Sequence, residues 1–188
     1  MSAADEGTAA AGPRTHTAVA TAPGGAALLL DVPPGWRLGD TARVAAVLAR
    51  ETSPSGFRTN AMVQVATVPA STSLDEVVAV ASARFAATHD AVDERGRRPT
   101  CAGQAPGIVR LVCFDLGPQA YRLVQLQLFV DGGSCDAGPP EAAIAGRVIF
   151  TIGLTCAAID LPELGEELAE LVRSVRVQGT DPGSGPQR

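Results

Sequence analysis

The chain has 188 residues, 46% hydrophobic and 19% charged, with a formal net charge of -5. This composition favours neither a disordered class nor a nucleic-acid binder, and no apolar run approaches the roughly 20 residues needed to cross a bilayer. At this length one domain can bury about two-thirds of its unfolded surface and needs no staples.

Residues 1–23 are small and polar without a hydrophobic period, and they read as a disordered tail carrying His16. Asp5 and Glu6 stand where a signal peptide has its basic region, and no apolar core follows them, so neither a signal nor a lipid-accepting cysteine is expected. Residues 24–177 read as one domain. Its first strand is expected over residues 26–32, stopped by Pro33-Pro34-Gly35, with Trp36 at the corner as a core anchor rather than a ligand-stacking ring. Residues 44–50 fit a strand or a helical turn. Residues 52–58, with Pro54 and Gly56, are a loop, and residues 60–68 are apolar on both faces, which predicts a central strand and favours a strand for residues 44–50 beside it.

Ser73 and Glu76 make a capping box before Leu74, Val77, Val78, Ala81 and Phe85, which predicts a helix over residues 74–89. Asp75 and Glu76 lie at its positive end, and His89 at the far end suits the helix dipole better than it suits catalysis. Residues 90–99 read as a charged connector whose Arg95, Arg97 and Arg98 form the basic cluster of the chain, as a solvated turn or, alternatively, an anion site. Residues 100–104 are a short strand before an Ala105-Pro106-Gly107 turn.

Three apolar runs follow, residues 108–116, 121–130 and 147–156, and they predict an antiparallel meander whose first turn is Gly117-Pro118-Gln119-Ala120. In the last run Val148, Phe150, Ile152, Leu154 and Cys156 share a face against Arg147, Thr151 and Thr155. In the middle run Val124, Leu126, Leu128 and Val130 form an apolar face, and Tyr121, Leu123, Gln125, Gln127 and Phe129 form a mixed one. That mixed row is either a protein-binding surface anchored by Leu123 and Phe129, or it is covered by a helix or by the N-terminal segment. A second helix is expected from Asp160, as N-cap, to about Val175, with Leu161, Leu164, Leu168, Leu171, Val172 and Val175 as its stripe. Residues 178–188 read as a second disordered tail.

Cys101, Cys113, Cys135 and Cys156 contain no C-x-x-C pair, and only His16 and His89 could join them in a metal site. A register count places Cys113 opposite Val124 and Cys156 near Tyr121, so four reduced thiols and a cytoplasmic location are expected, with export by a signal-less route as the alternative. No phosphate loop, H-E-x-x-H or G-x-S-x-G is present. No catalytic residue, cofactor or metal is assigned.

The order of these elements, with Val32-Pro33-Pro34-Gly35-Trp36, Phe57-x-x-Asn60-Ala61-Met62-Val63-Gln64-Val65 before Leu74-Asp75-Glu76, and Arg147-Val148-Ile149-Phe150-Thr151-Ile152 before the last helix, resembles the LpqN/LpqT family of actinobacterial proteins within the Mog/PsbP-like superfamily. The absence of lysine fits such a high-GC source. The resemblance implies an α+β domain, an antiparallel sheet of about six strands packed with helices as an α/β/α sandwich. The family is mostly cell-envelope lipoproteins, and the superfamily holds binding and assembly factors. It therefore implies a non-catalytic protein-binding or adaptor domain, with a chaperone for a secreted protein and a small-molecule carrier with a pocket between sheet and helix as alternatives. The expected partner is another protein, a second copy of the chain being one option.

Overall fold

The capping box closes as its spacing predicts. In the computed structural model, which describes residues 17–22, 24–39, 44–116, 121–137 and 144–179, Ser73 Oγ accepts from the Glu76 N–H at 3.2 Å and Glu76 Oε2 accepts from the Ser73 N–H at 2.7 Å. Helix α1 (Leu74–Thr88) follows, with His89 as its C-cap. Helix α2 (Leu161–Ser174) is entered through a 3-10 turn at Ala158–Asp160, and Leu164, Leu168, Leu171 and Val175 of its stripe are buried. Asp160 holds the N-cap position without capping. Its carboxylate is buried and accepts instead from the Ser55 N–H at 3.0 Å and the Ser55 hydroxyl at 2.6 Å, since a buried charge needs partners wherever it finds them.

The strands are β1 (Thr17–Thr21), β2 (Ala27–Leu30), β3 (Trp36–Gly39), β4 (Ala46–Arg50), β5 (Asn60–Pro69), β6 (Asp90–Ala102), β7 (Ala105–Leu116), β8 (Tyr121–Ala137), β9 (Ile144–Ala157) and β10 (Arg176–Gln178). They form an antiparallel sheet of order β3-β4-β5-β9-β8-β7-β6 and a smaller one of order β1-β2-β10. The class is the expected α+β, with more strands than about six.

Three expectations are corrected. β1 lies inside the predicted tail, because residues 17–21 find β2 as a partner. The charged connector is strand β6, paired along its length with β7. It sits at the sheet edge, where charged side chains face water on both sides and erase the alternation. The turn before β7 is Gly103-Gln104, not residues 105–107, with Ala102 opposite Ala105 and Gly103 at φ +67°. The turn predicted at residues 117–120 and both outer termini, residues 1–16 and 180–188, lie outside the described residues.

The meander register holds, with Cys113 opposite Val124. Cys156 also faces Val124 rather than Tyr121, because β8 and β9 extend further past residue 130 than the count assumed. Within β8 the ladder breaks at Gly132, where a Cβ would stand 2.7 Å from the Phe150 ring and 2.9 Å from Val148 Cγ1, so only glycine fits. β5 is central, as expected, between β4 and β9.

The result is three layers. On one side of the large sheet lies the main core, where Val148, Phe150, Ile152, Leu154 and Cys156 of β9 are fully buried against Leu28 and Leu30 of β2 and the α2 leucines. Each fully buried large side chain there contributes roughly 1.5–3 kcal/mol. On the other side α1 covers β6, β7 and β8, while Met62 on β5 stays exposed.

Candidate functional site

From Leu123 to Phe129 the mixed row of β8 is core, not surface. Phe129 packs with Ile108 and with Val78 of α1. Leu123 packs with Phe114 and Ala157, joined by Phe85 of α1. Leu123, Gln125, Gln127 and Phe129 are all at or below 7% exposure, and Tyr121 pairs with Leu116 at the end of the ladder. The cause is α1, which lies over this face and takes up the row proposed as a partner surface. The two glutamines are accommodated by a buried network instead. Arg110 donates to Gln127 Oε1 at 2.6 Å and lies 3.1 Å from Glu94 Oε2, Gln127 donates to Gln125, and Gln125 donates to Thr155 Oγ1 at 2.8 Å. Ser82 of α1 accepts from Arg110, and the guanidinium carbon lies 5.9 Å from the ring centroids of both Phe85 and Phe129. Burial pulls the Arg110 pKa down, and Glu94 pushes it back up. Gly153 on β9 leaves the room that Gln125 occupies. These partners hold a buried structural network, in which Arg110 Nη2 alone finds no hydrogen-bond partner among the described residues.

The opposite face of the same strands carries a cleft. Arg98, Val109, Leu128 and Ile152 lie side by side across β6, β7, β8 and β9, and Gly96, Leu111, Leu126 and Leu154 make the next row. Alternation therefore puts Arg98 on the same side as these apolar residues. β9 is roofed by α2, but the helix leaves β6 and β7 partly open. A cleft of about 530 Å³ lies between them. Its floor includes Leu111 and Leu126, both half-buried, and its helix wall is Ala169 and Val172. Small side chains make the space, since Gly96 contributes none and Ala169 only a methyl group. Arg95, Arg98 and Arg173 line the rim, and no acidic residue does among the described residues. Arg95 pairs with Asp93 at 2.6 Å and Arg173 with Glu166, both arginines being largely exposed. Arg97 pairs with Asp75 of α1.

The anion-site alternative for the arginine cluster thus has a cavity beside it. Sequence reasoning missed Arg173 and Ala169, and the only signal was the small-residue flank Gly165-Ala169 beside the leucine stripe. Trp36 is the expected core anchor, with its indole N–H donating to Glu167. His89 stacks on Phe85 with centroids 4.1 Å apart, its Nδ1 3.1 Å from the Phe85 carbonyl. That geometry serves the helix end. Cys101, Cys113 and Cys156 are free thiols, and burial pushes Cys156 up to about 11. Among the described residues no three His, Cys, Asp or Glu cluster as metal ligands, and no helix is long and apolar enough to cross a membrane.

No family model matches the chain, and no curated protein matches it. Solved structures do. LpqN of Mycobacterium tuberculosis, described as involved in cell envelope biogenesis, superposes with a TM-score of 0.64 at 12% identity over 87% of this chain and 91% of its own. Cyanobacterial PsbP of Synechocystis gives 0.57 at 13% identity, over 93% and 98%. PA94 of Pseudomonas aeruginosa, a protein of unknown function, gives 0.53 at 10% identity, over 78% and 88%. At these identities the likeness is one of architecture, and the chain has the fold shared by LpqN and PsbP.

Proposed function

We propose that the chain is a non-catalytic binding domain that holds its ligand in the cleft between α2 and strands β6 to β8. The observation that carries this reading is the cleft's construction. Its volume of about 530 Å³ falls within the about 300–1,000 Å³ usual for small-ligand sites, and Leu111, Leu126 and Val172 are left half-buried around it. The neutral apolar dye Nile red should bind the protein with a fluorescence gain. Ala169→Phe, which plugs the cleft from the helix wall, should remove that gain without lowering the melting temperature. Equal dye binding by both proteins would sink the reading.

A protein-binding, adaptor or chaperone role is the second reading, and a different observation favours it. α1 leaves the β5 part of its side of the sheet uncovered, where Met62, Gln64 and Ala66 are exposed in a row. A protein partner, or a second copy of the chain, would sit there. Met62→Arg should then abolish the complex while leaving dye binding intact. Free Cys101, Cys113 and Cys156 support placing either activity in the reducing cytoplasm.

A further inference from the structure

We infer that the ligand of this cleft is an anionic amphiphile: a single alkyl or acyl chain lying on the leucine floor, with a carboxylate, sulfate or phosphate head held by Arg98 and Arg173. The inference rests on the cleft being a ligand site and adds the chemistry of what fills it. Three observations converge. The interior is hydrocarbon, with Val109, Leu111, Leu126 and Leu128 on the sheet and Val172 on the helix. The mouth is cationic in a chain whose net charge is -5, so the sign is local and not inherited from the whole molecule. Among the described residues the Arg98 side chain has no ion pair and no hydrogen bond, while Arg95, Arg97, Arg110, Arg122, Arg147 and Arg173 each have a carboxylate partner.

An arginine without an acidic partner beside an apolar slot has its donors free for a ligand head. Its planar fork matches carboxylate and phosphate oxygens, and the pairing strengthens where the adjoining surface is dry. Arg95 and Arg173 are bound to exposed carboxylates, and exposed pairs of this kind are weak. Either can therefore turn from its partner to a ligand head at small cost. A neutral chain would gain only the floor, and a small anion would gain only the rim. Both together select the amphiphile.

The test titrates the full chain by calorimetry with dodecanoate below its micelle concentration, with dodecanol, and with acetate. Dodecanoate should bind about tenfold tighter than dodecanol, and acetate should show no heat of binding. Arg98→Gln, an exposed substitution that leaves the fold alone, should weaken dodecanoate about tenfold and leave dodecanol unchanged. Ala169→Phe should abolish both. Equal affinities for dodecanoate and dodecanol, unaffected by Arg98→Gln, would overturn the headgroup assignment while the cleft remains a ligand site. Acetate binding as tightly as dodecanoate would replace the amphiphile with a simple anion. No binding of either long-chain probe would remove the cleft reading itself.

Discussion

Phe150→Ala tests the sheet that everything else is mounted on. Phe150 is fully buried on the α2 side of β9, among Val148, Ile152 and Leu154. Removing its ring leaves a hole that the surrounding strands cannot close, and the loss should be about 3–5 kcal/mol. A domain of this kind holds only about 5–15 kcal/mol in total, so a large share of its stability goes, and the urea midpoint should fall by more than about 1 M. Thr151, the next residue, points to the other side and is partly exposed, so Thr151→Ala should cost about 0.5 kcal/mol or less. Gly132 sharpens the test. A methyl group there collides with the Phe150 ring and Val148, so Gly132→Ala alone should cost about 1–3 kcal/mol. With the ring already gone, part of that collision disappears, and the double mutant should lose less than the sum of the singles. Equal losses at Phe150 and Thr151, or strict additivity of the Gly132 and Phe150 changes, would refute the packing argument.

Changing Leu123 and Phe129 together to Ser should lower the melting temperature severely, because both are buried beneath α1; an unchanged melting curve would mean that the helix does not cover the row. The Arg147 hydrogen bond holds the Asp131 carboxyl below its ordinary range, with a further bond from the Gly133 N–H. A lowered folded-state pKa means stability that is present above the unfolded value near ~3.9 and lost as pH falls through the folded one. Asp131→Asn should therefore be less stable than wild type at pH 7, with the gap closing in acid; a gap independent of pH would remove the ion pair as its cause. Thiol titration of unfolded protein purified without reductant should count four cysteines, whereas a count of zero or two would mean disulfides and an oxidising compartment. In the folded protein exposed Cys101 should react first, and fully buried Cys156, pushed up to about 11, only on unfolding.

Much of this architecture can be read from local pattern. The Ser73–Glu76 box, the α2 leucine stripe and the alternation of β9 each encode a burial decision within one element, so each is visible without its neighbours. What escaped is what neighbours decide. β6 has little apolar pattern of its own, since an edge strand is specified by the ladder β7 offers, and Pro99 is tolerated because an edge has an unbonded side. Asp160 reads as a cap from its position, yet a loop a hundred residues earlier claims its carboxylate. The β8 row alternates as predicted; that α1 would lie on it is a matter of tertiary placement. The cleft joins Arg98 to Arg173 across the space between two elements, and no periodicity within either announces it.

The small sheet sets a constraint on how the chain comes together in time. Its middle strand, β2, is flanked by β1 on one side and β10 on the other, so its second ladder waits for Arg176–Gln178 to pair with Ala27–Leu29. During synthesis that edge of β2 stays open until nearly the whole domain has left the ribosome, and at about 5–20 residues per second the wait is roughly seven to thirty seconds. Closing so long a loop before its contacts repay the entropy makes this pairing a late and slow step. In the interval the apolar strand Ala27-Leu28-Leu29-Leu30 is the stretch most in need of a chaperone's hold.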